Sequence, residues 1–76
     1  MEATVFSTPK CTWCDKVARM LTDVEIEVNK IDITESRENY DLMMNMAGNV
    51  KTVPQVVVDG NLIGGYTETE RFLNNL

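Results

Sequence analysis

The sequence predicts an α/β fold in which a four-stranded mixed sheet packs against three helices, in the order β-α-β-α-β-β-α. Short apolar runs of alternating or continuous character indicate the strands, and apolar residues that recur every three or four positions indicate the helices. Late in the chain, Asp59-Gly60 separates two strand-like runs, which predicts a tight hairpin turn. A helix-linked strand pair followed by a hairpin is typical of one mixed sheet.

The first part of the chain is predicted to form a strand, a helix and a second strand. The first strand covers residues 3–7 and ends before Pro9, because proline lacks the amide that a sheet ladder requires. The helix covers residues 12–22. Its apolar residues share one face: Trp13, Val17, Met20 and Leu21. The second strand, over residues 25–33, loses its apolar phase near Lys30, so a bend or the strand end is expected there.

The middle of the chain predicts a helix and a hairpin. The helix covers residues 35–47 and stops at Gly48-Asn49, since both residues tolerate the left-handed conformation of a helix C-cap. Its methionines are expected to fill the core: Met43, Met44 and Met46. The strand over residues 55–58 is almost continuously apolar, as expected for a strand covered on both faces, and a shorter strand follows over residues 61–63.

A last helix is predicted from Thr67 to about Asn75. Thr67 and Glu70 have the spacing of a capping box, in which a hydroxyl and a carboxylate bind amides of the first turn. The helix is expected to bury Phe72 and Leu73, with Leu76 as a further candidate.

Composition restricts the classes of function. The 76 residues fit a single domain over residues 1–76, and a formal net charge of −5 argues against nucleic-acid binding. Neither a signal peptide nor a membrane span is expected, because no basic leader or long apolar run is present, and a cytoplasmic location is predicted. Two cysteines without a histidine exclude the usual four-ligand zinc sites within one chain, so no metal site is predicted.

Both cysteines lie in Cys11-Thr12-Trp13-Cys14, at the junction of the first strand and the first helix. A bridge between them closes a very short loop and stabilises little, which favours a working dithiol over a structural disulfide. Cys11 is the expected nucleophile, since a helix N-terminus stabilises the reactive thiolate, with help from Lys10 and the Cys14 thiol. Most of Cys11 is expected to be thiolate at neutral pH. Cys14, one turn further in, is predicted to be the resolving thiol.

Two further segments are candidates for binding. Lys51-Thr52-Val53-Pro54-Gln55 opens the third strand, and a simple strand start is the alternative interpretation. Gly64-Gly65-Tyr66-Thr67-Glu68 leads into a helix N-terminus, which is a ready anion site, although Gly-Gly turns are common.

In this order and spacing, the chain resembles glutaredoxins over almost its whole length. The resemblance is carried by Thr8-Pro9-Lys10-Cys11-Thr12-Trp13-Cys14, by Thr52-Val53-Pro54-Gln55, and by Asp59-Gly60 with Ile63-Gly64-Gly65-Tyr66. It implies a thioredoxin-like fold and glutathione-linked thiol–disulfide exchange, as in small bacterial or phage-type members. Pro54 would be a cis-proline facing Cys11, leaving the Val53 backbone to pair with the tripeptide. The other residues implied to line this site are Trp13, Thr52 and Gly65.

The resemblance also implies charged contacts with glutathione. Lys10 would meet the glycyl carboxylate, Thr67 and the first amides of the last helix would hold the γ-glutamyl carboxylate, and Glu68 would face the γ-glutamyl ammonium.

Some residues depart from the family pattern. Thr12-Trp13 replaces the commoner Pro-Tyr, and Trp13 could form an aromatic wall or half-buried packing. Tyr40 or Asp41 stands where many members carry Gln or Arg, and Lys51 could compensate by its charge.

The resemblance implies a monomeric electron carrier without a bound cofactor. Its co-substrate would be glutathione and its client a disulfide-containing protein such as ribonucleotide reductase. A competing interpretation with the same chemistry is an NrdH-like redoxin reduced by thioredoxin reductase, although Gly64-Gly65 favours glutathione. Two non-catalytic functions are also compatible with the sequence: a binding module, and a carrier of an iron–sulfur cluster between subunits.

Overall fold

A computed structural model describes residues 1–48 and 50–76. Its elements follow the predicted order: β1 (Glu2–Ser7), α1 (Thr12–Asp23), β2 (Glu27–Asp32), α2 (Arg37–Ala47), β3 (Gln55–Val58), β4 (Asn61–Gly64) and α3 (Tyr66–Asn74). The strands lie in the order β2-β1-β3-β4, with β1 parallel to β2 and both other pairings antiparallel. The predicted mixed sheet with three helices is confirmed.

The sheet buries apolar side chains on both of its faces. On one face, α1 and α3 cover a cluster made of Ala3, Val5, Val17, Leu21, Ile26, Val56 and Val58. On the other face, α2 covers a smaller cluster made of Phe6, Met43, Ala47 and Val57. All four residues of β3 are buried, which confirms the prediction of a strand covered on both faces. Full burial of a valine stabilises the fold by about 1.5–3 kcal/mol. This central strand supplies buried valines to both clusters, Val56 and Val58 to the first and Val57 to the second.

The loss of apolar phase in the second strand has a different cause from the one predicted. β2 continues through Lys30, which pairs with Val5 of β1, and no bend occurs there. Ile26 and Val28 pack in the α1 cluster, whereas Ile31 packs in the α2 cluster. Both faces of the strand are therefore covered, and a single alternating pattern is not required. The strand is shorter than predicted, since Glu25 lies in the preceding turn with a φ of 63°.

The first helix buries only part of the apolar face that the sequence predicted. The helix extends one residue beyond the prediction, to Asp23, and Val17 and Leu21 are buried on its inner face as predicted. Trp13 is 52% exposed. It lies in the first turn of α1, where its ring contacts Tyr66.

The second helix begins two residues later than predicted. The Ser36 hydroxyl caps it by accepting a hydrogen bond from the Asn39 amide at 3.1 Å. At the other end, Gly48 is the left-handed C-cap, with a φ of 66°, while Asn49 lies outside the described residues. Met43 is buried and Met44 packs against the same cluster, but Met46 is exposed, so the core role predicted for it is wrong.

The last helix is capped differently from the prediction. It begins at Tyr66 with Gly65 as N-cap, and Glu68 accepts a hydrogen bond from the Gly65 amide at 2.8 Å. The predicted box of Thr67 and Glu70 is wrong because Thr67 already lies inside the first turn. Phe72 and Leu73 pack against the α1 cluster, as predicted.

Smaller differences concern the end of the chain. Leu76 lies beyond α3 and is 65% exposed, so it is not a core residue. β4 extends one residue beyond the prediction, to Gly64. Among the described residues, no helix has the length and apolar character needed to cross a bilayer.

Candidate active site

The strand directions bring the three candidate segments to one edge of the sheet. β1 ends at Ser7, and its antiparallel neighbour β3 begins at Gln55, which is paired with Phe6. β4 runs back toward this edge and pairs Gly64 with Val56. The cysteine segment, the Thr-Val-Pro segment and the Gly-Gly segment therefore share this edge, although they are far apart in sequence.

The two cysteines have unequal environments. They are disulfide-bonded, with Cα atoms 5.2 Å apart. Cys11 is the N-cap of α1 and is partly exposed, and its Sγ accepts a hydrogen bond from the Cys14 amide at 3.1 Å. Cys14 is fully buried, and its Sγ lies 4.0 Å from the Phe6 carbonyl oxygen. An incoming thiol can therefore reach the sulfur of Cys11 and not that of Cys14.

The second segment contains a cis peptide bond between Val53 and Pro54, as the resemblance implied. Pro54 is buried, Val53 packs against the α2 cluster, and Thr52 is exposed. The buried Gln55 side chain donates from Nε2 to the carbonyl oxygen of Thr52 at 3.0 Å and to its hydroxyl at 3.2 Å. Gln55 thus stabilises the loop at Thr52 by side-chain hydrogen bonds. In the sequence, the signal for this positioning role is a polar residue at the start of an apolar strand.

The third segment lies against the second. A Cβ at Gly65 would stand 3.6 Å from the Pro54 carbonyl oxygen. Gly64 has a φ of 122°, a conformation that favours glycine. Glu68 already binds the Gly65 amide through Oε1, so a carboxylate of the chain itself lies at the α3 N-terminus, while Thr67 is exposed.

An aromatic pair joins the first and third segments. The rings of Trp13 and Tyr66 meet edge to face, with centroids 4.8 Å apart and planes at 64°. The Lys16 ammonium lies 4.4 Å from the centre of the Trp13 ring. Trp13 is thus exposed and also packed against Tyr66, which agrees with the half-buried packing expected for it, while its role as an aromatic wall for a peptide stays a prediction. Tyr66 and Lys16 were missed as site residues, and only the tyrosine after Gly-Gly gave a signal in the sequence.

Cations surround this edge. Lys10 and Lys51 are exposed, next to the cysteine segment and the Thr-Val-Pro segment respectively. On α2, the Arg37 guanidinium lies 5.8 Å from the Tyr40 ring centre, and its Nε donates to Asp41 at 3.0 Å. A cation is therefore present on α2 one turn before the position at which the family carries Gln or Arg.

Comparisons with known proteins agree with this arrangement. The glutaredoxin family model matches residues 3–63. A glutaredoxin-like 8.6 kDa protein encoded in the rubredoxin operon of Clostridium pasteurianum is 33% identical, with 87% of each chain covered. Human mitochondrial glutaredoxin-2 is 31% identical over 88% of this chain, which spans 42% of the human protein.

A solved structure shows the fold. The buckwheat glutaredoxin–glutathione complex superposes with a TM-score of 0.79 at 21% identity, covering 96% of this chain and 68% of the buckwheat chain. The fold is therefore thioredoxin-like, as expected. Because the family model covers most of the chain, and the Clostridium relative is similar over nearly its full length, this protein belongs to the glutaredoxin family, whose members are thiol–disulfide oxidoreductases.

Proposed function

We propose that this protein is a glutathione-dependent dithiol electron carrier that reduces disulfides of client proteins, with ribonucleotide reductase as a candidate client. The observation that carries the proposal is the asymmetry of the cysteines. The reachable Cys11 sulfur accepts an amide hydrogen bond at a helix N-terminus, and the buried Cys14 lies directly behind it.

In the reduced protein, Cys11 is the nucleophile. A thiol with a pKa of about 8.5 is only about 3% thiolate at pH 7. A helix N-terminus stabilises a negative charge by about 0.3–1 kcal/mol when exposed and up to about 2 kcal/mol when sheltered. Because one pKa unit corresponds to about 1.4 kcal/mol, the helix raises the thiolate fraction at Cys11 several-fold.

The reduction of a client proceeds in two exchanges. The Cys11 thiolate attacks one client sulfur, forms a mixed disulfide and releases the other client sulfur as a thiolate, which takes up a proton. The Cys14 thiol then loses its proton and attacks the Cys11 sulfur, so that the Cys11–Cys14 disulfide forms and the second client thiol leaves. Two electrons pass to the client, and the protein is left in the disulfide form described above.

Two glutathione molecules restore the dithiol. The first attacks the Cys11 sulfur, which releases Cys14 as a thiol, and the second attacks the sulfur of the bound glutathione. Glutathione disulfide leaves and Cys11 is reduced again. The exposure of Cys11 supports this order, since Cys14 cannot be attacked directly.

The proposed glutathione site lies around the edge that holds Cys11. The Val53 backbone, Lys10 and Thr67 bind the tripeptide in the roles that the family resemblance implies. The fold shared with a glutathione-bound buckwheat glutaredoxin supports this assignment. Glu68 uses Oε1 for the Gly65 amide, so its second oxygen remains for the γ-glutamyl ammonium. Trp13, Thr52 and Gly65 complete the lining.

One turnover experiment tests the proposal. A mixed-disulfide substrate and NADPH are supplied either with glutathione and glutathione reductase or with thioredoxin reductase alone, and NADPH oxidation is followed. We expect turnover only with glutathione, and loss of that turnover in a Cys11→Ser variant. Turnover only with thioredoxin reductase would overturn glutathione dependence and favour an NrdH-like redoxin.

A further inference from the structure

The surface beside the disulfide combines an exposed aromatic ring with a cation. Trp13 presents about half of its surface to solvent, Tyr66 supports its edge, and Lys16 lies over its face. We call these three residues the aromatic–lysine surface. An exposed tryptophan beside a cation is the kind of anchor that interfaces use, because it buries a large apolar area while the cation selects a charge.

The cations of this edge are available to a partner. Within residues 1–48 and 50–76, Lys10, Lys16 and Lys51 are exposed and form no ion pair. Two carboxylates lie nearest to the aromatic–lysine surface along the chain. Asp15 pairs with Lys30 of β2, and Glu68 accepts from the Gly65 amide. Among the residues that the structure describes, no carboxylate forms an ion pair with Lys16.

The opposite end of the molecule carries negative charge. β1 and β2 begin there, α1 ends there, and the β3–β4 turn joins it, since the Asp59 amide donates to the Glu2 carbonyl oxygen. Its exposed carboxylates are Glu2, Asp23, Glu25, Glu27 and Asp59. With a net charge of −5, the protein repels an acidic partner at this end. The disulfide edge also carries exposed carboxylates, at Glu35, Glu38 and Glu70, so attraction for an acidic partner there is local to the unpaired lysines.

We infer that the aromatic–lysine surface docks an acidic segment of a client protein. The segment carries an apolar side chain against Trp13 and Tyr66, and a carboxylate against Lys16, close to the client's own disulfide. Cys11 and Lys16 are five residues apart, which is about 7.5 Å along a helix axis. Two residues of extended peptide span about the same distance. Because residues five apart on a helix also differ by about 140° around its axis, the acidic residue is expected about two or three positions from the client cysteine. This inference rests on the proposed reduction of protein disulfides.

A pair of matched peptides tests the inference. Each contains one intramolecular disulfide and a leucine, and they differ only in a Glu or a Gln two residues from the first cysteine. The measured quantity is the ratio of kcat/KM for the Glu peptide to kcat/KM for the Gln peptide. Any intrinsic effect of Glu on the peptide disulfide cancels when the ratio of a variant is divided by that of the wild type.

The variants separate Lys16 from a general effect of charge. Lys16→Gln is expected to lower the ratio about threefold to fivefold at low salt, the upper part of the range of an exposed ion pair. Lys16→Arg is expected to restore it. Arg19→Gln is the matched control, because it removes an exposed cation one turn further along the same helix and should leave the ratio unchanged. About 0.5 M salt should abolish the wild-type preference through screening.

In the kinetic experiment, the inference would be overturned by the same ratio in Lys16→Gln as in the wild type, or by an equal loss in Arg19→Gln. Peptides with serine in place of cysteine separate docking from chemistry. Trp13 is the only tryptophan, so its fluorescence reports the binding of these serine peptides.

Absence of turnover with both disulfide peptides would refute the proposed function. Tighter binding of the Glu serine peptide by the wild type, and not by Lys16→Gln, would still support docking. Equal binding of both serine peptides would refute docking.

Discussion

The amide of Cys14 donates a hydrogen bond to the sulfur of Cys11 at 3.1 Å. The first turn of α1 thus holds the reachable sulfur with a backbone donor, and the residue that supplies this donor buries its own sulfur behind it. One helical turn provides both the stabilisation of the attacking atom and the position of the resolving atom.

The reactivity of Cys11 is expected to depend on pH with a midpoint below the free-thiol value. The amide donor and the helix terminus both favour the thiolate, by about one unit of pH in total. The rate of alkylation by iodoacetamide, measured in a reduced Cys14→Ser protein, checks this. A midpoint above about 8 would contradict the prediction, since that is the range of an ordinary thiol.

Glu68 and Glu70 are expected to differ in their contribution to stability. Glu68→Ala removes the acceptor for the Gly65 amide and a negative charge at the α3 N-terminus. We expect it to lower the free energy of unfolding by about 1 kcal/mol. Glu70→Ala, on an exposed position of the same helix, should cost much less. Urea denaturation of the two variants measures the difference, and equal losses would contradict the cap.

Gly64 is expected to tolerate substitution poorly. An alanine there would have a φ of 122° and a Cβ 3.0 Å from the Cβ of Glu68. Such a conformation with a close contact costs about 1–3 kcal/mol. Gly60→Ala is the matched control, since its φ of 83° is also strained but no atom lies within 4 Å. Thermal unfolding should rank Gly64→Ala as the less stable variant, and the reverse order would refute this prediction.

Asp32 is expected to make stability depend on pH in the acid range. The hydroxyl of Thr34 donates to Asp32 at 2.6 Å and its amide at 2.8 Å, which together hold the pKa of the Asp32 carboxyl below its usual value. Because the folded-state pKa is the lower one, this contribution is complete above the unfolded-state pKa and disappears as the pH falls through the folded-state pKa.

Removal of the hydroxyl donor tests this assignment. Thr34→Val should unfold at lower urea concentration than the wild type at about pH 6, and the difference should shrink toward about pH 2. Thr22→Val is a control, because the Thr22 hydroxyl bonds a helix carbonyl and no carboxylate. A difference at Thr34 that does not change with pH would contradict the assignment.

The sequence was sufficient for the order of the elements, because strand and helix periods are local properties. The continuous apolar run at 55–58 correctly predicted a strand with two covered faces. In β2, the loss of alternation was interpreted as a bend or a strand end, although burial of both faces of the strand explains it. Lys30 follows the face of Ile26 and Val28, where its ammonium meets Asp15 of α1, and this ion pair could not be read from the alternation.

The site could be predicted only in part. The cysteine segment is contiguous, so its place at the start of α1 followed from the local pattern. The cap of α3 was misplaced because a glycine N-cap has no side chain that a sequence pattern can display. The contact of Trp13 with Tyr66 joins residues more than fifty positions apart, so it required the register of the antiparallel strands.

Trapping of the mixed disulfide tests the central claim most directly. Cys14→Ser and Cys11→Ser proteins are each exposed to glutathione disulfide, and the modified residue is located by peptide mass spectrometry. We expect a stable glutathione adduct on Cys11 in Cys14→Ser and none in Cys11→Ser, because the Cys14 sulfur is buried. Equal modification of Cys14 in Cys11→Ser would contradict the assigned roles.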